Sequence, residues 1–139
     1  MIDAMSDANN TYAELIQAVT KASLLGSTAA VLEWDEQTQL PAKGSEHRAN
    51  QSSMIARLAH EQFTSPRVGQ LLNAVESSEL VRDATGDAAA NARELRRSYD
   101  RATKIPASLV EEMSKTAVLA HHAWVDARKK YDFAIFKPW

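Results

Sequence analysis

Apolar residues recur along this chain at the spacing of one face of an α-helix, and the pattern predicts an all-α protein of about five helices. The first helix is expected from about Asn10 to Thr38, with Tyr12, Leu15, Ile16 and Val19 on one stripe that resumes at Leu24, Leu25, Val31 and Leu32. Gly26 interrupts it at a cost of about 1 kcal/mol relative to Ala and marks a close helix contact or a bend. A second helix carries Met54, Ile55, Leu58 and Ala59, and a short third one carries Val68, Leu71, Leu72 and Val75. The fourth, from about Asp87 to Thr103, turns Ala88, Ala92, Leu95, Tyr99 and Ala102 inward. The fifth, from about Ala107 to Tyr131, lines up Leu109, Val110, Met113, Ala117, Ala120, Trp124 and Ala127.

The breakers fall between these stripes. Pro41 to Gly44 ends the first helix, and Ser45 is positioned to cap the second. Ser65-Pro66 is a cap followed by proline at the first helical position. Residues 77–87 have the weakest pattern and read as a loop with at most one helical turn. Ile105-Pro106 stops the fourth helix, because the residue before proline is pushed out of helical space. Short connections imply antiparallel neighbours, so the expected architecture is a helical bundle or array. It is read as a single domain with a flexible start at residues 1–10. The tail from Asp132 to Trp139 is apolar and aromatic where a chain end is ordinarily polar, and is expected to lead into a further element.

Composition narrows the function classes. At 139 residues the chain is the size of one domain, able to bury roughly 70% of its unfolded surface. Sixteen Lys and Arg against eighteen Asp and Glu argue against a nucleic-acid or anionic-membrane binder. The absence of cysteine excludes disulfides, thiolate metal sites and cysteine nucleophiles. Residues 1–10 lack the apolar core of a secretory signal, and the run from Leu24 to Leu32 is too short to span a bilayer. A soluble, cytoplasmic protein is expected.

The most particular stretch is Trp34-Asp35-Glu36-Gln37-Thr38-Gln39-Leu40-Pro41, closing the first helix. A second block is Gly44-x-Glu46-x-Arg48-Ala49 followed by Ala56-Arg57-Leu58-Ala59-His60-Glu61. A third spans Arg96 to Trp139, with Tyr99 to Pro106, Ala123-Trp124-x-x-Ala127-Arg128 and Asp132-Phe133-x-x-Phe136-x-Pro138. In this order the three blocks resemble the thermostable carboxypeptidase (carboxypeptidase Taq) family of zinc metallocarboxypeptidases, in its N-terminal part. The resemblance implies a mostly helical peptidase that removes single residues from peptide C-termini, with N-terminal helices forming a wall or lid over a groove floored by a zinc-bearing helix. It also implies a dimer. Trp34, Asp35, Gln37, Thr38, Arg48, Trp124 and Arg128 are the signature positions that would edge such a groove. The His-Glu-x-x-His helix of a zincin is missing, so no catalytic or metal-binding residue of the family can be placed here.

Several residues imitate chemistry. His60-Glu61-Gln62-Phe63-Thr64 looks like a damaged zincin motif, but Thr64 stands where the second histidine belongs, and a solvated helix end is the expected reading. His121 and His122 point about 100° apart on a helix and cannot share a metal, so they are expected at the surface. Glu33, Asp35 and Glu36 suggest acid/base work, although Asp35 bracing the turn before Pro41, with Gln37 and Thr38 bonding backbone, is the plainer role. Arg93, Arg97, Arg101 and Lys104 form a basic stripe expected to be solvated or internally paired.

Two readings follow. The chain is the structural front segment of a metallocarboxypeptidase, with the rest of the peptidase as its partner, or a stand-alone helical module that self-associates through an exposed apolar face. On the first reading this chain alone should not take up zinc; tight stoichiometric binding in a calorimetric zinc titration would contradict it.

Overall fold

A computed structural model describes residues 2–41 and 43–139, with side chains from residue 5 onward. It contains five α-helices: α1 (Ile2–Thr38), α2 (Ser45–Phe63), α3 (Pro66–Glu76), α4 (Asp87–Ala102) and α5 (Ala107–Lys130). Short 3-10 turns occur at Glu79–Val81 and Phe133–Ile135, and the described residues include no strand, so the all-α expectation holds. Met1, of the start expected to be flexible, and Ala42, of the expected break, lie outside the described residues. The helix begins at Ile2 and not near Asn10, because the polar residues there bond inside it. Asn9 Nδ2 donates to Met5 O at 2.9 Å and Thr11 Oγ1 to Asp7 O at 2.9 Å, replacing the competition with the helix that such side chains usually offer.

The chain gathers into two compact units, one of Met1–Leu24 with Ala59–Pro106 and one of Leu25–Leu58 with Ala107–Trp139. The first holds the aliphatic core. Leu15 of α1 meets Val68, Leu71, Leu72 and Val75 of α3 and Ala92 of α4, all buried, with Tyr12, Val19, Leu95 and Tyr99 packed around them. These are the stripes that the periodicity predicts for the three helices. Gly69 lets α3 approach Tyr99: a Cβ there would lie 2.6 Å from the tyrosine hydroxyl, which itself bonds Ser65 O at 3.4 Å. Ser65 starts α3 without a side-chain cap, leaving Pro66 as the starting signal. At the rim, Arg96 donates to Glu76 and Asn73, and its bond to the Glu76 carboxylate raises the guanidinium above its ordinary pKa. Residues 77–87 contain one 3-10 turn, followed by Asp83, whose carboxylate accepts from Thr85 Oγ1 and N and is held below the usual range by those bonds.

The second unit is built differently. Among its described residues the buried ones are Arg48, Ala49, Ser53 and Ala127, with no large aliphatic side chain. Val31, Met54, Leu58, Leu109, Met113 and Trp124, which the periodicity turns inward, are instead exposed, Met113 by 60%. Periodicity locates an apolar face but does not say whether this chain covers it. By length and composition α1 also contains a stretch within Met5–Thr38 able to cross a membrane, contrary to the shorter run counted in the sequence. One such helix is weak evidence, and ion pairs from Glu14 to Arg67 and from Asp35 to Arg48 set charges along its flanks.

The difference between the units predicts an asymmetric response to truncation. Leu72→Ala should cost about 2–5 kcal/mol, and Met54→Ala no more than about 0.5 kcal/mol, in urea unfolding followed by circular dichroism. Equal costs would contradict a core confined to the first unit.

Candidate functional site

The signature positions lie in the second unit, and the structure joins the first two blocks through one side chain. Arg48, near the start of α2, is buried, with its side chain 10% exposed. Its Nη2 donates to Asp35 Oδ2 at 2.5 Å, its Nη1 to Leu32 O at 2.5 Å and its Nε to Gln51 Oε1 at 3.1 Å. The planar guanidinium can serve three acceptors at once, one of them a carboxylate and one a backbone carbonyl of α1. The Asp35 carboxylate therefore does not brace the turn before Pro41. That turn is closed by the backbone, with Gln39 N and Leu40 N donating to Asp35 O. Thr38 Oγ1 donates to Trp34 O at 2.8 Å, as expected of a hydroxyl at a helix end. Gln37 does not bond backbone: its Nε2 lies 3.5 Å from Glu33 Oε1. Trp34 is 61% exposed, so it is no core anchor within this chain.

Trp124 and Arg128, one turn apart on α5, form a separate cluster. The Arg128 guanidinium sits 5.7 Å from the Trp124 ring centre, and Phe136 meets that ring edge-on at 5.2 Å. The end of α5 makes this possible. Tyr131 takes a left-handed conformation at φ 53°, while Asp132 N bonds Ala127 O and Tyr131 N bonds Arg128 O. This is the Schellman pattern, usually given to glycine, and it folds the aromatic tail back on α5. Trp124, Ala127, Arg128, Tyr131, Asp132 and Phe133 line a hollow of about 390 Å³.

One pair escapes sequence reasoning. The Glu36 side chain is 6% exposed and its Oε1 lies 3.4 Å from His122 Nε2. That nitrogen is buried and makes no hydrogen bond among the described residues, so the contact is one of proximity. His122 is thus not the surface residue expected beside Trp124. A helix carrying two histidines gives no sign of which faces a neighbour; the i, i+1 spacing says only that they diverge. Glu33, Glu36, Gln37, Ser52, Ser114 and His121 contribute to a cleft of about 410 Å³.

Zinc does not fit these residues. Among the described residues no three His, Asp or Glu side chains converge as metal ligands. In the first unit, His60 sits in the last turn of α2, half-buried, with its Nε2 2.8 Å from Ile105 O, and Thr64 Oγ1 donates to His60 O. Arg93 and Arg97 of the basic stripe approach Glu94 at 3.9 and 3.8 Å, the internal pairing expected of them. The class defined by fold and site is an all-helical protein whose buried polar groups tie helices together.

Comparison with known proteins names the family. A model of the carboxypeptidase Taq (M32) metallopeptidase family matches residues 14–139, and the chain belongs to that family. It is 41% identical over 128 residues to thermostable carboxypeptidase 1 of Thermus thermophilus, covering 92% of this chain and 25% of the relative. It is 28% identical over 131 residues to thermostable carboxypeptidase 1 of Pyrococcus furiosus, covering 94% of this chain and 26% of the relative. The BsuCP crystal structure superposes with a TM-score of 0.84 at 26% identity, over 93% of this chain and 26% of that one. The chain thus spans about a quarter of the length of the relatives it matches, and the family resemblance read from the three blocks is borne out.

The Arg48 tie makes a sharp prediction. Asp35→Ala should cost about 1–3 kcal/mol, because it strands a buried guanidinium. Arg48→Lys should not be neutral, since an ammonium cannot reproduce the three-way fork. Asp35→Ala combined with Arg48→Met should recover part of the loss. Thermal unfolding of the three variants checks this, and a double variant less stable than Asp35→Ala alone would contradict it.

Proposed function

We propose that this chain is the N-terminal helical segment of a zinc-dependent metallocarboxypeptidase that removes C-terminal residues from peptides. Its own contribution is structural: it supplies helices that wall the substrate groove, while the metal and the chemistry come from the remainder of the family fold. The observation that carries this reading is the family match over residues 14–139 to proteins four times as long. It is supported by the internal engagement of Asp35, Arg48, His60 and Glu36, each of which has a neighbour within its own unit. Trp34, exposed at the end of α1, is the signature side chain best placed to edge the groove, and Asp35 and Arg48 fix the helix that carries it.

The exposed apolar residues of the second unit also support a second reading, a self-associating helical module, because uncovered apolar patches commonly mark association sites. Light scattering on a size-exclusion column separates it: a monomer at high concentration counts against it.

Co-expression with the remaining three-quarters of the Thermus thermophilus relative tests the first reading. The mixture should release the C-terminal residue of a blocked dipeptide, and this chain alone should not. Hydrolysis by the chain alone, or none by the mixture, would overturn it.

A further inference from the structure

Helix α5 leaves an apolar face largely uncovered. Leu109, Met113, Ala117, Ala120, Trp124 and Ala127 follow one another at steps of three or four and form a single apolar stripe. A stripe of this kind normally faces the core. Here Leu109 is 43% exposed, Met113 60% and Trp124 41%, with Ala127 alone of the six buried. The side of α5 that is half-buried instead carries Val110, Val118 and Val125, with Glu111, which meets Arg57 of α2 at 3.1 Å, and His122, which lies beside Glu36 of α1. Beside the stripe, Ala117, Ala120, His121, Trp124 and Phe136 line a shallow groove of about 420 Å³. From Leu109 to Trp124 the exposed stretch runs for about 22 Å at the helical rise of about 1.5 Å per residue.

We infer that this stripe of α5 is the docking surface for the polypeptide that makes up the other three-quarters of the family fold. The inference rests on the proposed function and deepens it, by naming the face through which the segment joins its remainder. The occupant is argued from the relatives. In the BsuCP structure the same fold, at a TM-score of 0.84, accounts for 26% of the chain, so about three-quarters of that polypeptide lies outside the matched part. A helix that half-buries one side while leaving a second, apolar stripe open is built to be covered by further chain. The aromatic tail extends that surface: Phe136 packs on Trp124, and Tyr131, held in left-handed backbone, is 98% exposed.

The test uses this full chain, tagged and co-expressed with the remaining three-quarters of the Thermus thermophilus relative as a separate polypeptide. Wild-type chain should retain that polypeptide on the affinity column in equal stoichiometry. Leu109→Asp with Met113→Asp should reduce the retained amount roughly tenfold or more, the effect of losing a central contact of an interface. Both side chains are already exposed here, so circular dichroism of the double variant should match wild type; Leu109→Ser with Met113→Ser gives a second, milder variant if it does not. Met54→Asp, exposed on α2, should leave retention unchanged. If wild type and both stripe variants retain the polypeptide equally and restore hydrolysis equally, the stripe inference is overturned while the segment reading stands. If wild type retains nothing, the inference fails together with that reading, and elution of this chain at twice its mass would assign the stripe to a second copy.

Discussion

A guanidinium buried beside a helix end has to be satisfied on every side, and the second unit is organised around that requirement. Arg48 reaches a carboxylate, a backbone carbonyl and a side-chain amide at once, two of them on α1 and one on its own helix. Removing a charge from water costs several kcal/mol, which only well-placed partners offset. The position of α1 against the start of α2 in this unit is therefore fixed by direction-specific bonds, where a hydrophobic contact would tolerate sliding. The unit has little else to fix it, since its buried apolar residues are two alanines among those described.

The first unit solves the same problem by ordinary means. Leucines and valines of α3 close on Leu15, and the polar bonds of Arg96, Tyr99 and His60 trim the rim. Its stability comes from area removed from water, which is insensitive to orientation. The contrast is chemical as well as structural. A unit held by fixed polar ties can present an exposed apolar face without collapsing around it, whereas a unit held by burial would draw such residues inward.

The two halves of the chain were unequally legible. For α1 to α5 the ends fell close to the breakers, since proline acts on the backbone of its immediate neighbours and needs no tertiary partner. The start of α1 at Ile2 is not legible, because asparagine and threonine ordinarily compete with a helix, and whether they bond the preceding turn depends on the conformation already adopted. The pairing of Asp35 with Arg48 was not legible, although both residues stood out in the sequence. They are thirteen positions apart on different helices, and no periodicity relates them. The proximity of Glu36 and His122 is hidden for the same reason, since they lie on different helices and far apart in the chain.

Sequence by itself determined that the chain is helical, where the helices end, which face of each is apolar, and to which family its three ordered blocks belong. These follow from local backbone preferences, from a 3.6-residue period and from residue identity, all of which are carried in one dimension. The tertiary structure alone decided which apolar faces are covered. Leu72 and Met113 are equally well placed on their stripes, yet one is fully buried and the other is 60% exposed. Burial is a property of what lies opposite a side chain, and the residue itself does not encode that.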